Sequence, residues 1–502
     1  MSSPSSASPR NSRDNSALEL PPVSLKEQQR ALEAAYSLMQ GWREDSPSSR
    51  AAHDFVERRR GIPAHVWKEM IPCGVLPMGR RGENEGSRVL VRGLAETARG
   101  DMAAAGRMLE SACQAGILIR RVPEINAAGK ERFGAKWFQM GGKERAAGLK
   151  EIFEDHLRQG RDVSRFYSDY PVIVGEDSEG RTNRKYGHWL AVPLKAEHPE
   201  TGEAVLAGFA YRSLRPLEET GPDYRHRRSR RNGFGDARNI IMGLADFRSD
   251  IEEHRAVALV EGTMDWLSLC AAYAAGGRHG VPPIAVQGVN LSPTEVETIA
   301  KATPRVIALL DFDSAGQNGT ESLGLELLRK GTAVYVARAT EEMVQSRVKD
   351  PSDVLARFGP EALVRMQTEA RRYPLPVHEV HVRQERMKAD PRLQTRRNQL
   401  KAASEVAMAI AAWPGACAGY IERTASALDL DPSTVEMMVV ESGGTVPKVI
   451  PLSVAQARSA ALVDTEPVAV PSAREGEGSP SRPEAGARPL GRVRGGRVGS
   501  FR

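Results

Sequence analysis

At 502 residues, with 40% hydrophobic and 27% charged side chains, the chain is long enough for two or three domains, each burying its own core. No apolar run approaches the roughly 18–20 residues that cross a bilayer, which excludes a transmembrane helix. The four cysteines (Cys73, Cys113, Cys270 and Cys417) lie far apart, which excludes a CxxC zinc ribbon built from this chain and gives no sign of a disulfide framework, and the net charge of +6 permits a polyanionic partner without requiring one.

Residues 1–24 are rich in Ser and Pro and are expected to be disordered. They contain no apolar signal core, so a cytoplasmic location is expected. Leu32, Ala35, Leu38, Met39 and Trp42 recur at helical spacing and predict an amphipathic helix over Ser24–Trp42. Residues 51–72 predict two helices parted at Gly61-Ile62-Pro63, with Pro63 suited to a helix start. A further helix over Ala103–Ala115 stops at Gly116. His188–Leu194 and Glu203–Arg212 read as antiparallel strands joined by a polar turn, and Ala237–Asp246 as helical. Between them lies a dense basic run: Arg225, Arg227, Arg228, Arg230 and Arg231.

From Ala256 the rhythm changes to alternating strands and helices. AVALVEG, PIAVQG, RVIALLDFD and AVYVARA are predicted strands, separated by predicted helices. Apolar strands alternating with helices predict a parallel sheet covered on both faces. Residues 377–440 are helical again, and 443–502, rich in Gly, Pro, Ser and Arg, read as a disordered tail. His378 and His381 lack a third metal ligand nearby and read as surface residues. Trp189 and Tyr186, beside Lys185, read either as base-stacking aromatics or as cover for a strand edge. Met264 and Trp266 read as core.

The strongest chemical signal is acidic. Glu261 follows the strand VALV, Asp311 and Asp313 follow VIALL, and Asp350 follows the AVYVARA strand. Ligands of open α/β sheets sit at the carboxyl ends of the strands, so these carboxylates are expected to converge. Asp311 and Asp313 alternate across one residue and would face the same side in extended chain. Such oxygen clusters suit Mg2+ or Mn2+, and two ions can stabilise both oxygens of an in-line phosphoryl displacement. Single strand-end acids are usually caps; three in order after apolar strands are not explained by capping alone.

The segments VEGTMD, LLDFDSAGQNG and KDPSDVL resemble, in order and spacing, the Toprim domain of the bacterial replicative DNA primases (the DnaG type). AAHDFVERRRGI, RMLESACQAGIL, LAVPLK…VLAGFAYRSL, ARNIIMGL and YIERTASALDL resemble the primase core on either side, so the likeness spans roughly residues 50–440. The resemblance implies that Glu261, Asp311 and Asp313 are catalytic and that Glu261, Asp311, Asp313 and Asp350 bind two Mg2+ or Mn2+ ions, with Asp265 and Asp353 as further candidates. It implies that Arg212, Arg228, Arg230, Arg231, Arg238 and Lys185 contact nucleotide or template. The chain departs from the family in carrying Ser352 within its Asp350–Asp353 motif, where DPD or DPN is usual, and in lacking the zinc ribbon; no zinc is expected.

An α+β protein follows as the expectation. A primase-core subdomain with the basic run would cover 25–250, a Toprim α/β sheet 251–365, and a helical subdomain 366–442. The resemblance implies synthesis of short RNA primers from NTPs on single-stranded DNA. The implied partners are single-stranded DNA, NTPs and the RNA–DNA hybrid, with a replicative helicase or a separate zinc-ribbon protein as candidates and no membrane. A Toprim nuclease and a non-catalytic nucleic-acid-binding accessory protein are the alternatives; a topoisomerase would need a nucleophilic Tyr on a DNA-gate domain, and no segment reads as one.

Overall fold

The structure is a computed structural model and describes residues 23–77, 88–176, 182–198, 200–215, 226–228, 240–277, 280–288, 291–414 and 417–445. The chain divides into 1–447 and 448–502, and the second unit lies outside the described residues. The disorder expected for 1–24 and 443–502 therefore falls outside them too, apart from 23–24 and 443–445.

Helix α1 (Leu25–Glu44) opens at a capping box: the Ser24 hydroxyl accepts from the Glu27 amide while Glu27 reaches back. A second helical turn, α2 (Ser49–His53), widens into a π-helical segment, Asp54–Arg59. After the break at 61–63, a π-helical turn at Val66–Met70 leads into β1 (Gly74–Leu76). Helices α3 (Val89–Glu96) and α4 (Met102–Gln114), strand β2 (Leu118–Arg120) and helices α5 (Val122–Phe133), α6 (Lys136–Gln139) and α7 (Gly142–Arg158) follow. Strand β3 (Tyr167–Asp169) pairs with β2, and β4 (Val172–Glu176) with β5 (Thr182–Tyr186).

A mixed-order antiparallel sheet comes next, β1-β6-β7-β8, built from β6 (Trp189–Glu197), β7 (Ala204–Ser213) and β8 (His226–Arg228). Its period-2 alternation serves two cores at once. Trp189, Ala191, Phe209 and Tyr211 face a core with α1, α3, α4 and α7, whereas Leu190, Val192, Leu194 and Ala210 face a second core shared with the parallel sheet. That second core also takes in Ala52, Val56, Ile62, Val66 and Trp67, so it joins residues on both sides of position 250.

The parallel sheet has the order β10-β9-β11-β12, from β9 (Val257–Val260), β10 (Pro283–Ala285), β11 (Arg305–Ala308) and β12 (Ala333–Val336). Helix α8 (Arg248–His254) precedes it; α9 (Thr263–Gly276), α10 (Pro293–Ala302) and α11 (Ser314–Arg329) connect its strands. Short α12 (Glu341–Gln345), α13 (Pro351–Phe358) and α14 (Pro360–Ala370) follow. Every residue of β9 is buried, as is every residue of α9 from Thr263 to Ala272, which explains their unbroken apolar runs. Helices α15 (Leu375–Ala389), α16 (Arg396–Ala412), α17 (Ala418–Leu428) and α18 (Pro432–Glu441) enclose a third, smaller core. The α+β expectation holds.

Two expectations are corrected. The described part of Ala237–Asp246 is a turn rather than a helix: Met242 exchanges both backbone hydrogen bonds with Ala285, extending the edge of the parallel sheet beyond β10. His378 is not on the surface but 5% exposed, because the helix carrying it packs against α16 and α17; His381, on the same helix, is half-buried. No helix among the described residues is long and apolar enough to cross a membrane.

Candidate active site

The chain enters the parallel sheet at β9, steps to β10 on one side, then crosses to β11 on the other side of β9 and continues outward to β12. Connections leave β9 and β11 in opposite directions, which opens a crevice between their carboxyl ends, where open α/β sheets bind ligands. Ala308 pairs with Leu259, and the Leu309 amide donates to the Leu259 carbonyl at 2.8 Å, so the two strand ends finish level. Glu261 follows one strand; Leu309, Leu310 and Asp311 extend the other.

Each further acid is held by the start of a helix. Asp313 is the N-cap of α11, accepts from the Gly316 amide at 2.9 Å and is exposed. Gly316 is required there: a Cβ would fall 2.0 Å from the Asp311 carbonyl oxygen. Asp350 is the N-cap of α13, accepting from the Asp353 amide at 2.7 Å. The Phe312 amide donates to the Lys349 carbonyl at 2.8 Å, and the Lys349 amide to Asp353 at 3.2 Å. These bonds lash the Asp311–Asp313 loop to the Asp350–Asp353 turn. Asp265, on the first turn of α9, is buried and accepts from the Ser352 amide at 3.2 Å.

Electrostatically the crevice is a concentration of like charge. Burial, then the carboxylates of Glu261, Asp350, Asp313 and Asp353, push Asp311 up to about 7. Burial and Asp313 raise Glu261. Asp265 is held well above the usual carboxylate range by burial, then by Asp350 and Asp311; Asp350 is raised by burial, with Asp353 adding to it. The cation that opposes these shifts is Arg60, which favours ionisation of Asp265 and Asp350. Among the described residues no three His, Cys, Asp or Glu side chains are placed as a closed ligand set, so the acids meet as a field of negative charge rather than a finished cage. Oxygen donors repelling one another in a half-buried cleft are the donor set that a hard divalent cation satisfies.

Ser352 is fully buried; its hydroxyl accepts from Arg60 at 3.1 Å and its amide is spent on Asp265. It is a strut between elements, not a side chain open to the crevice.

The basic candidates divide. Arg212 pairs across from Leu190 on the sheet face turned to the shared core; it is 3% exposed, lies over the Phe55 ring at 5.3 Å and contacts the His226 imidazole. Arg228, on β8, donates to the Gln287 carbonyl in the loop beyond β10, which brings the basic strand to the carboxyl end of the parallel sheet. Arg230, Arg231 and Arg238 lie outside the described residues, as does the Lys185 side chain. Trp189 is fully buried and so covers the sheet rather than stacking a base. Met264 and Trp266 are core, with the indole of Trp266 donating to the Pro283 carbonyl at 3.0 Å. All four cysteines are unbridged. Local pattern does not single out Arg60, because the partners that give it a role, Ser352 and Asp353, lie almost three hundred positions away.

Residues 258–355 match the family model described as Toprim-like. Over 161 residues the chain is 31% identical to the DNA primase of Myxococcus xanthus, covering 32% of this chain and 24% of that protein. Over 205 residues it is 27% identical to the DNA primase of Staphylococcus aureus, covering 41% and 30%. The chain thus spans less than a third of the length of these curated relatives. Among solved structures, a DNA primase domain from Pseudomonas aeruginosa aligns with a TM-score of 0.50 at 16% identity, over 82% of this chain and 99% of that one, a likeness of fold. The chain is thus similar to Toprim-like domains over residues 258–355, to DNA primases over part of their length, and to a primase domain in fold.

Proposed function

We propose that this chain is a DNA primase catalytic core: a metal-dependent nucleotidyltransferase that makes short RNA primers from NTPs on single-stranded DNA. The observation that carries the reading is the meeting of Glu261, Asp311, Asp313 and Asp350 at the switch point of the parallel sheet, with Asp311 pushed up to about 7 by its neighbours. Glu261, Asp311, Asp313 and Asp350 would hold Mg2+ or Mn2+. When bound, the ions neutralise charge on the attacking and leaving oxygens of in-line displacement at the α-phosphate. Glu261, half-buried and with raised affinity for a proton, would accept the proton of the 3′-hydroxyl. Asp265 and Asp353 would orient the Asp350 turn through backbone amides. Arg228 with Arg230, Arg231 and Arg238, and Lys185, would grip triphosphate and template backbone, a contact weakened by salt. Arg212, buried against Phe55, would act from behind that surface. The domain limits 25–250, 251–365 and 366–442, and a helicase or zinc-ribbon partner acting in trans, belong to the same reading.

The test is incubation of the protein with single-stranded DNA, labelled NTPs and Mg2+ or Mn2+. Short RNA products that vanish in Asp311→Ala support the primase. DNA fragments without synthesis indicate a Toprim nuclease using the same acids, and DNA binding without either product indicates an accessory protein.

A further inference from the structure

We propose that Arg60 is a positioning residue for the acidic site, clamping the Asp350–Asp353 turn from an element almost three hundred positions earlier in the chain. The inference rests on the proposed metal-binding role of those acids.

The sequence sets the clamp up locally. The π-helical segment Asp54–Arg59 ends at Arg60, the Gly61 amide returns to the Glu57 carbonyl at 3.1 Å and the Ile62 amide to Val56 at 3.1 Å. Gly61 has φ +66°, and the site of a Cβ would be 3.1 Å from the Ala356 Cα. Backbone therefore packs directly on helix α13, which only glycine allows without strain. Ile62, fully buried beside it, fixes the turn in the shared core. Arg60 is thus delivered to the N-terminus of α13 with little freedom to move.

There its guanidinium donates to the Ser352 hydroxyl at 3.1 Å, lies 3.8 Å from the Asp353 carboxylate, and spreads over the Phe55 ring at 5.7 Å. The other face of the same region carries Arg212, 5.3 Å from that ring. One guanidinium nitrogen, Nη1, faces both the hydroxyl and the carboxylate while the planar group packs on the Phe55 ring, a combination of reach and stacking that a compact, strongly hydrated ammonium does not reproduce. The pair with Asp353 is long and its partners are 20% and 28% exposed, so it contributes little to stability. What it fixes is orientation: Ser352 and Asp353 supply the amides that hold Asp265 and Asp350. Groups that orient a metal ligand through one intermediate typically alter metal affinity by about 10–100-fold when removed. Ser352 is then the acceptor that accommodates this arginine.

The alternative is that Arg60 acts only as a charge, and the two roles differ in sign. As a charge it competes with a cation, so its removal tightens metal binding; as a positioner, its removal weakens it. The experiment measures Mn2+ binding to the full chain by the loss of free-ion paramagnetic resonance signal, with hydrogen exchange of 349–357 in metal-free protein. Variants are Arg60→Met, Arg60→Lys, Ser352→Ala and Asp311→Ala. We expect about tenfold weaker Mn2+ binding in Arg60→Met and in Arg60→Lys, about threefold in Ser352→Ala, and faster exchange of the turn in all three. Unchanged or tighter binding in Arg60→Met overturns the proposal, as does a Lys variant equal to wild type. Should Arg60→Met not fold, an unaffected Ser352→Ala overturns it. Mn2+ binding insensitive to Asp311→Ala overturns this inference and the metal site together. Intact, Asp311-dependent Mn2+ binding without primer synthesis overturns only the primase reading.

Discussion

Two sets of buried carboxylates in this molecule are treated in opposite ways. In the N-terminal core Glu110 receives Arg120 at 2.6 Å, the Tyr167 hydroxyl at 2.8 Å and the Gln114 amide at 2.7 Å, while the Arg120 guanidinium lies over the Phe153 and Tyr167 rings. Every lone pair there has a donor and the charge is balanced. In the Toprim crevice Asp311 is surrounded by four more carboxylates, all of which raise its affinity for a proton. Paired acids build architecture; acids left to repel one another mark the place where a cation from outside completes the balance. Arg383 in the third region stands between the two patterns: its guanidinium meets Glu379, Glu321 at 3.3 Å and Glu405 at 3.0 Å, three acids for one cation, and burial pushes Glu379 up to about 7.

Substitutions should separate the two sets, and the largest effect falls on activity. Asp311→Ala is expected to cut primer synthesis by more than about a hundredfold while its thermal midpoint in metal-free buffer stays level or rises, since a repelled carboxylate has been removed. A fall in that midpoint would place Asp311 with the architectural acids. Next, Arg120→Met strands a buried Glu110 and is expected to cost about 3–5 kcal/mol in urea unfolding; a loss below about 1 kcal/mol would erase the contrast.

Acidity sharpens the comparison further. Asp311 titrates near 7 in the folded, metal-free chain against an ordinary value of 3.8. A raised acid stabilises the fold fully below its unfolded value, and that contribution is lost as pH rises through about 7. Metal-free protein should therefore lose stability over that window, with a smaller slope in Asp311→Asn. Mn2+ affinity should run the other way, weakening as pH falls through 7 because proton and ion compete for one oxygen set. Opposed slopes in calorimetry and in metal titration are the expected result. The smallest effect is local: Ser292, whose hydroxyl caps α10 by accepting from the Glu295 amide at 3.3 Å, should cost about 1 kcal/mol on substitution by Ala, with synthesis unchanged.

Much of the framework around the candidate site is legible in the sequence. VALV and VIA are buried strand segments whose apolar runs leave no polar face, and the acids after them could be located to a strand end by counting. The first helix was legible from the spacing of Leu32, Ala35, Leu38, Met39 and Trp42 for the same local reason. What one-dimensional reading handled poorly were residues whose role depends on a distant partner. Ala237–Asp246 has a helical pattern, but Met242 finds Ala285 and becomes a sheet edge. His378 is polar and reads as surface, yet its helix buries it.

The sequence by itself thus determined the alternation of strands and helices and the order of the acids, because periodicity and strand-end placement are properties of neighbours in the chain. Tertiary structure decided which charges face which. Whether Arg212 looks into the shared core depends on the alternation and pairing of β7 against β6; whether Ser352 is a ligand or a strut depends on Arg60 arriving from the opposite end of the fold. Which charges face one another and which are buried is set by how strands and helices pack after folding, for Arg60 and Ser352 between segments almost three hundred positions apart, and no local pattern encodes it.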